Sequence, residues 1–500
     1  MQDFLTNSDP ARRQAFRTLS RACLFAGVCI LSACASVGPD YAAPQISGAE
    51  RGWAMADDQA APEDAFIAWW RESGDANLTR LVETALADNL SVREALSRVD
   101  EARSLRSSAR AAYLPQAQAE ASATTLQQSL NGNPGLADFP GFVREFELFD
   151  VGGALAWQVD LWGQVRRQNE AADARLSSSV AAANAARLAI AIEVSSTYFN
   201  LVGLQQEIAA LNAAISAQQD ILEFRAMQMD AGALSLADLT PFQSELAALQ
   251  AQVPPLEGEL TAQALALGTL TGNLPESELA LLARNAQPIA LGDVPLGLRS
   301  EILRRRPDIN IAERQLAAET AEIGVAKGEL FPKLSLNASG GFTATDAGDL
   351  IQGNSSRFSV FPLLSWRIFE GGRVRAEIRL AEAEARTAAL AYEGAILDAL
   401  REAETAVATY RKSREALALS RSARDVAQTN MRFTRIRRDA GAISEIQLLD
   451  ATRQMNEANR AVAQSWRRAA VAMTQLYGAL GSGWQSPETS SEQGQGNNEN

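Results

Sequence analysis

The chain repeats itself. Leu161-Trp162-Gly163-Gln164-Val165-Arg166 is echoed by Glu370-Gly371-Gly372-Arg373-Val374-Arg375, and Ala231-Gly232-Ala233-Leu234-Ser235 by Ala440-Gly441-Ala442-Ile443-Ser444. Gly163 and Gly372 stand 209 positions apart, and so do Gly232 and Gly441, so the two halves stay in register across the whole interval between these markers. Upstream, Tyr113-Leu114-Pro115 is matched by Leu330-Phe331-Pro332 at an offset of 217, which confines the difference to a small insertion. A repeat of this length is a duplicated structural unit, and any fold for the chain must divide into two like halves.

Each half carries one uninterrupted helical pattern without proline, from Gly163 to about Asp230 and from Gly372 to about Asp439. Some 67 residues at about 1.5 Å each make a helix on the order of 100 Å long, which implies a coiled-coil or tubular assembly. In the second copy Val374, Ile378, Ala381, Ala385, Ala388, Tyr392, Ile396, Leu400, Ala403, Val407, Tyr410 and Leu417 recur mainly three or four apart. So alanine-rich a seam lets helices approach closely. Each pattern stops at a glycine, Gly232 or Gly441, where a left-handed C′ residue is expected. A new helix start follows: Ser444-Glu445-Ile446-Gln447 is a capping box and Ser235-Leu236-Ala237-Asp238 its acidic variant. The pattern predicts two helical hairpins with returning helices at about 236–271 and 445–480, and further helices at about 76–112 and 298–328.

Four short segments switch to period two. Alanines 117, 119, 121 and 123 alternate with Gln118, Glu120, Ser122 and Thr124; Leu334, Leu336 and Ala338 alternate with Ser335, Asn337 and Ser339. Segments at about 146–160 and 357–369 carry Trp157, Val159, Trp366 and Ile368 against Gln158, Asp160, Ser365 and Arg367. Alternation over about ten residues suits a membrane barrel strand, but about eight strands are the practical minimum for closure, so several chains must share one barrel.

The N-terminus reads as a secretory signal: Arg12, Arg13, Arg17 and Arg21 precede a short apolar run ending in Leu31-Ser32-Ala33-Cys34, which resembles a lipobox. Cleavage before Cys34 would leave that cysteine as the acylated first residue. Ala rather than Asp at position 35 points to the outer membrane. Cys23 and Cys29 lie inside the signal, so the mature chain has neither a disulfide framework nor a second thiol. There is no histidine, which removes the commonest general base and transition-metal ligand. The formal net charge is −14, and it becomes −16 once the four Arg and two Asp of residues 1–33 are removed, which argues against nucleic acid as a partner. No later stretch of 18 apolar residues exists, so any membrane crossing is by β structure.

On these residues the chain resembles the TolC-type outer-membrane factors, in particular the lipoprotein branch that serves resistance-nodulation-division efflux systems. The resemblance is carried by Cys34-Ala35-Ser36-Val37-Gly38-Pro39-Asp40-Tyr41, by Leu303-Arg304-Arg305-Arg306-Pro307-Asp308-Ile309, and by Ala312-Glu313, Ile323-Gly324 and Leu330-Phe331-Pro332. It implies a mainly α chain with a small β part. Duplicated hairpins would build a periplasmic α-barrel, and four strands per chain a twelve-stranded transmembrane barrel in a homotrimer anchored in outer-membrane lipid. Its segments would be a signal peptide (1–33), a lipid anchor and belt (34–72), a first repeat (73–272), an equatorial linker (273–297), a second repeat (298–481) and a disordered tail (482–500). The family's periplasmic gate maps onto Asp450 and Ile446, with Asp238 and Gln447 at equivalent positions of the two hairpins. The tips at Gly232, Ser235, Gly441 and Ser444 would dock a periplasmic adaptor that links to an inner-membrane pump. Arg438 departs from the family, which often has an aromatic residue there.

The function so implied is a passive exit duct, with no catalytic residues, cofactor or metal. An adaptor-type coiled-coil lipoprotein should carry one hairpin rather than two. The outer-membrane component of a type I secretion system is a further alternative. A lipoprotein glycosidase with paired carboxylates has no need of 67-residue helices. Trp69-Trp70 reads as packing rather than ligand binding.

Overall fold

A computed structural model describes residues 36–44, 51–55, 66–129, 142–283 and 287–484. Cys34, the signal segment and all but the first residues of the tail lie outside this set. A short α1 (Trp69–Glu72) precedes the first copy of the repeat, which supplies α2 (Ala76–Asp88), α3 (Leu90–Ala111), β1 (Gln116–Gln127), β2 (Glu145–Val159), α4 (Gln164–Asp230), α5 (Leu236–Gln250) and α6 (Val253–Leu270). The second supplies α7 (Arg299–Arg305), α8 (Pro307–Gly328), β3 (Lys333–Ala344), β4 (Ser356–Ser365), α9 (Arg373–Asp439) and α10 (Glu445–Ala479). Both long helices have 67 residues.

Three helices expected to be continuous are divided, each for a local reason. Pro254 and Pro255 remove two backbone donors, so the first returning helix stops at Gln250 and restarts at Val253. Pro307 biases Arg306 to extended backbone (ψ 121°) and separates α7 from α8. Asn89 (ψ 132°) ends α2, and its side chain accepts from the Ser91 and Val92 amides at 2.8 and 3.3 Å to start α3. The fourth strand ends at Ser365, short of position 369, because Ser365 already faces Lys333, the first residue of β3.

The chain forms two compact units, each drawing on both repeats. One comprises Met1–Ala43, Glu101–Ser177 and Arg314–Leu390. Its centre is an antiparallel sheet in the order β1-β2-β3-β4. The register places Ala117, Ala119, Ala121 and Ala123 beside Leu155, Gly153, Val151 and Phe149, which continue through Ala338, Gly340, Phe342 and Ala344 of β3 to Val360 and Phe358 of β4. The rows ending at Val360 and Phe358 are therefore apolar across all four strands, the next row ends at Ser356 opposite Phe342, and Phe358 and Val360 are 88% and 65% exposed. The repeat symmetry extends to single hydrogen bonds: the Trp157 indole donates to the Tyr113 carbonyl at 2.9 Å and its counterpart Trp366 to the Leu330 carbonyl at 3.0 Å.

The N-terminal strap, residues 36–43, is docked in the same unit around Arg167, whose side chain is buried. The guanidinium donates to the Val37 carbonyl at 3.1 Å, to Asp40 at 2.6 Å and to Glu170 at 2.7 Å. The hydrogen bond from Arg167, with its charge, holds the Asp40 carboxyl below its usual range. Tyr41 packs against Ala174, Ala317 and Ala318.

The other unit comprises Pro44–Asp100, Ser178–Glu313 and Ala391–Asn500. Its core joins Phe66, Trp69, Trp70, Leu78, Tyr198, Phe199, Trp466 and Tyr477, with Trp69 stacked on Tyr477 at 4.5 Å. The tryptophan pair thus packs, as its sequence context suggests. The seam predicted on α9 is buried in this unit at Ile396, Ala403, Val407, Tyr410 and Leu417. Arg306 explains part of the Arg-Arg-Arg-Pro-Asp motif: it donates to the Ala479 carbonyl at 2.9 Å and ion-pairs with Asp308 and Glu402 at 2.7 and 2.6 Å. Three aromatic donors hold the irregular segment 287–297: Trp466 to the Ile289 carbonyl (3.0 Å), Tyr410 to Gly292 (2.5 Å) and Trp53 to Gly297 (2.9 Å). Burial pushes the Tyr410 hydroxyl up to about 12, above the ordinary tyrosine value.

Candidate functional site

The two hairpin tips are built by one local rule applied twice. Gly232 and Gly441 adopt φ of +75° and +69°. Around the first, Gly232 N–H bonds to the Met229 carbonyl and Ala233 N–H to the Gln228 carbonyl, both at 2.8 Å. Around the second, Gly441 N–H bonds to Arg438 at 2.9 Å and Ala442 N–H to Arg437 at 2.8 Å. Both are Schellman closures, which need a left-handed residue at C′. Nothing lies within 4 Å of a Cβ added at Gly441, so the cost of a side chain there is backbone strain alone, about 1–2 kcal/mol. Gly441→Ala should therefore cost at least as much as a steric clash-free site allows and Gly441→Val somewhat more, both read as faster hydrogen exchange at the amides of Ser444–Gln447. An alanine variant with wild-type protection would contradict this origin.

The second turn of each tip is capped from within. The Asp238 carboxylate accepts from Ser235 N–H at 2.9 Å and from its hydroxyl at 2.7 Å. Those two hydrogen bonds lower the Asp238 pKa. Its contribution to the cap is therefore present above the ordinary aspartate range and is lost as pH falls through the lowered value. In the second tip Gln447 Oε1 accepts from Ser444 N–H at 3.1 Å. Asp238 and Gln447, paired by sequence as gate positions, are thus both engaged as caps. Arg438 lies 3.3 Å from its neighbour Asp439 and reaches across the Gly441 turn to Glu445 at 3.5 Å, an ionic contact at the position that departs from the resembled family's aromatic.

Asp450 is exposed and Ile446 half-buried on the first turns of α10. They lie four residues apart, on one helix face. The adjoining Leu448, Leu449 and Ala451 are buried, so packing of the opposite side fixes the direction in which Asp450 projects. Arg453, which sequence reasoning passed over, sits one turn further and pairs with Glu245 of α5 at 2.6 Å.

In the unit that holds the sheet, the face opposite the apolar one carries Gln118, Glu120, Ser122 and Thr124 of β1, Asp150 of β2, Ser335, Asn337, Ser339 and Thr343 of β3, and Arg357 of β4. Arg357 crosses β3 to reach Asp150 at 2.5 and 2.9 Å and also donates to Thr343 at 2.8 Å. It can do so because Gly152 and Gly341 share its row, and a Cβ on Gly152 would come within 3.3 Å of the guanidinium. A sheet apolar on one face and hydrogen-bonding on the other can separate lipid from an aqueous path. Among the described residues no group of acidic, cysteine or histidine side chains could hold a metal ion, and no helix is long and apolar enough to cross a membrane.

Comparison with known proteins gives a consistent picture. The family model described as outer membrane efflux protein matches residues 81–273 and 298–482, one stretch in each copy of the repeat. Nodulation protein T of Rhizobium leguminosarum bv. viciae is 30% identical over 464 residues, covering 92% of this chain and 93% of that protein. Outer membrane protein OprJ of Pseudomonas aeruginosa is 31% identical over 464 residues, covering 91% of this chain and 94% of its own. Among solved structures, the outer-membrane channel OprN superposes with a TM-score of 0.77 at 31% identity, over 90% of this chain and all of that one. The Campylobacter jejuni CmeC channel, at 22% identity and a TM-score of 0.79, shares the fold.

Proposed function

The chain belongs to the outer membrane efflux protein family, and from that premise we propose that it works as a homotrimeric exit duct, acylated at Cys34 and closed at its hairpin tips. The observation that carries this reading is the open sheet: four strands, one face apolar over its middle rows, and two edges, β1 and β4, with unpaired backbone groups. Such edges invite pairing with another copy, and three copies supply twelve strands, enough to close a barrel with the apolar face toward lipid. The polar face then lines an aqueous path, and solutes pass without being bound tightly or chemically changed. An adaptor at the tips around Gly232, Ser235, Gly441 and Ser444 would connect the duct to an inner-membrane resistance-nodulation-division pump.

Asp450 and Ile446 form the periplasmic gate in this reading. Three-fold symmetry turns one exposed carboxylate into three around a narrow opening, which attracts cations and disfavours anions. In planar bilayers the Asp450→Ala, Ile446→Ala double variant should conduct several-fold better than the wild type and lose cation preference, while Asp238→Asn, a cap change, leaves selectivity unaltered. Wild-type conductance and selectivity in the double variant would place the gate elsewhere. Native mass spectrometry of the same preparation should record a trimer with acyl chains on Cys34; a monomer without pores would overturn the duct itself.

A further inference from the structure

The polar face of the sheet is not polar throughout. On two of its rows near the helices β4 contributes Leu363 opposite Ser335 and Phe361 opposite Asn337, 51% and 48% exposed, while β1 and β2 contribute Gln116 and Gln158. Beside these rows, where β1, β2 and β3 meet the start of α4 and the end of α8, lies a cavity of about 530 Å³ whose lining includes Gln116, Gln158, Gln164, Gln168, Ser335 and Asn337. Its volume falls among those of small-molecule sites, about 300–1,000 Å³.

The glutamines are particular to one repeat. At the offsets of the duplication, Gln116, Gln158, Gln164 and Gln168 correspond to Lys333, Arg367, Arg373 and Glu377, all charged. The same scaffold is built with charged residues in its second copy, so four uncharged amides are not a requirement of the fold. Most of them are not consumed by the structure either. Gln164 donates to the Glu329 carboxylate at 2.7 Å and to the Val325 carbonyl at 3.1 Å, whereas the side chains of Gln116, Gln158, Gln168 and Asn337 have no hydrogen-bond partner among the described residues. The two charged residues of the lining, Glu329 and Lys333, pair with each other at 2.5 Å. The cavity therefore presents open donors and acceptors without net charge.

Each amide offers two donors and an acceptor, and the group that answers both at one point is a hydroxyl, which donates, accepts and rotates to suit. An ion gains no opposite charge here, and a wholly apolar solute leaves the amides without partners. Three strand spacings of about 4.8 Å put Gln116 about 14 Å from Phe361 along their row, so an occupant that meets both is a short chain of rings. We infer that this cavity is a resting site on the duct wall for a short, uncharged oligosaccharide, its hydroxyls on Gln116, Gln158, Gln168 and Asn337 and its apolar ring faces on Phe361 and Leu363. The inference rests on the reading of the polar face as the inside of a duct.

Maltotriose is the probe. Purified protein in lauryldimethylamine oxide, whose headgroup is not a sugar, should bind it saturably in equilibrium dialysis, one per chain, and should bind the cationic chitosan trimer about tenfold more weakly. Gln116→Leu combined with Gln158→Leu should weaken maltotriose binding about tenfold at an unchanged thermal unfolding midpoint, the effect of open amides lost to a ligand that needs them. Gln168→Leu, on the exposed side of α4 and outside the sheet, should weaken it several-fold and gives a reading even if the sheet variant fails to assemble. Ser122→Ala, three rows further from the helices, should bind as the wild type does. No saturable binding by the wild type, equal binding of the chitosan trimer, or wild-type affinity in the glutamine variants would overturn the site. In planar bilayers maltotriose should interrupt the wild-type current and interrupt that of the double variant far less. An open pore that maltotriose never interrupts, despite binding in dialysis, would place the cavity off the solute path and overturn the inference as stated. A wild type that forms no pore would instead defeat the duct reading, while dialysis still decides whether the cavity holds the sugar.

Discussion

Trp466→Ala should lower stability by about 3–5 kcal/mol, the usual cost of removing a buried tryptophan from a close-packed interior. Trp466 is 2% exposed, meets Phe199 edge-on at 6.0 Å, and donates its indole N–H to the Ile289 carbonyl. Truncation leaves a cavity in the largest core and an unpaired carbonyl in the segment that this core holds in place. Trp466→Phe keeps most of the volume and loses the hydrogen bond, so it should cost about 1–2 kcal/mol. Thermal unfolding in detergent orders the two variants: alanine well below phenylalanine, phenylalanine below the wild type. Equal midpoints for alanine and phenylalanine would mean that the bond to Ile289, not the packing, carries the effect.

Gly324→Val should release the N-terminal strap. A Cβ at Gly324 would lie 2.6 Å from both the Val37 carbonyl oxygen and Cγ of Arg167, and Gly38 is packed as closely on the other side, its own added Cβ 2.5 Å from Gly324 Cα. Backbone-to-backbone contact of this kind has no rotamer escape, so the strap must leave or α8 must move, at a cost of about 1–3 kcal/mol. Hydrogen exchange or proteolysis across residues 36–44 should rise at least tenfold while the ladder of β1 to β4 keeps its protection. Gly258→Ala provides the control, since nothing lies within 4 Å of its added Cβ and alanine is the better helix former. Strap protection unchanged in the valine variant would rule out the close approach.

The tips were legible in the chain because they depend on short-range rules. A glycine after a long apolar period, followed by Ser and then Asp or Gln three residues on, specifies a Schellman closure and a new helix without reference to anything distant. The strands were legible for the same reason: alternation at period two assigns Ala117 and Leu334 to one face whatever their neighbours are. Helix breaks at Asn89 and before Pro254 were also written locally, but they were hidden inside longer periodic runs whose pattern carries across an interruption of one or two residues.

Gate position is a mixed case. The exposure of Asp450 follows from the burial of Leu448, Leu449 and Ala451 around it. Asp238, an equally acidic residue at an equally exposed tip, turned out to be engaged as a cap with Ser235. Both uses are consistent with an aspartate near a helix start, and only the hydrogen bonds separate them.

By itself the sequence determined the duplication, the two hairpins with their glycine turns, and a four-strand sheet with one apolar face, because period, turn chemistry and alternation are properties of a few consecutive residues. Tertiary structure alone decided that Arg167 grips the strap, that Arg357 crosses two glycines to reach Asp150, and that Arg453 meets Glu245, 208 positions away. Those contacts depend on the rotational phase of long helices and the register of paired strands, and a shift of one residue in either would send the same side chains to different neighbours.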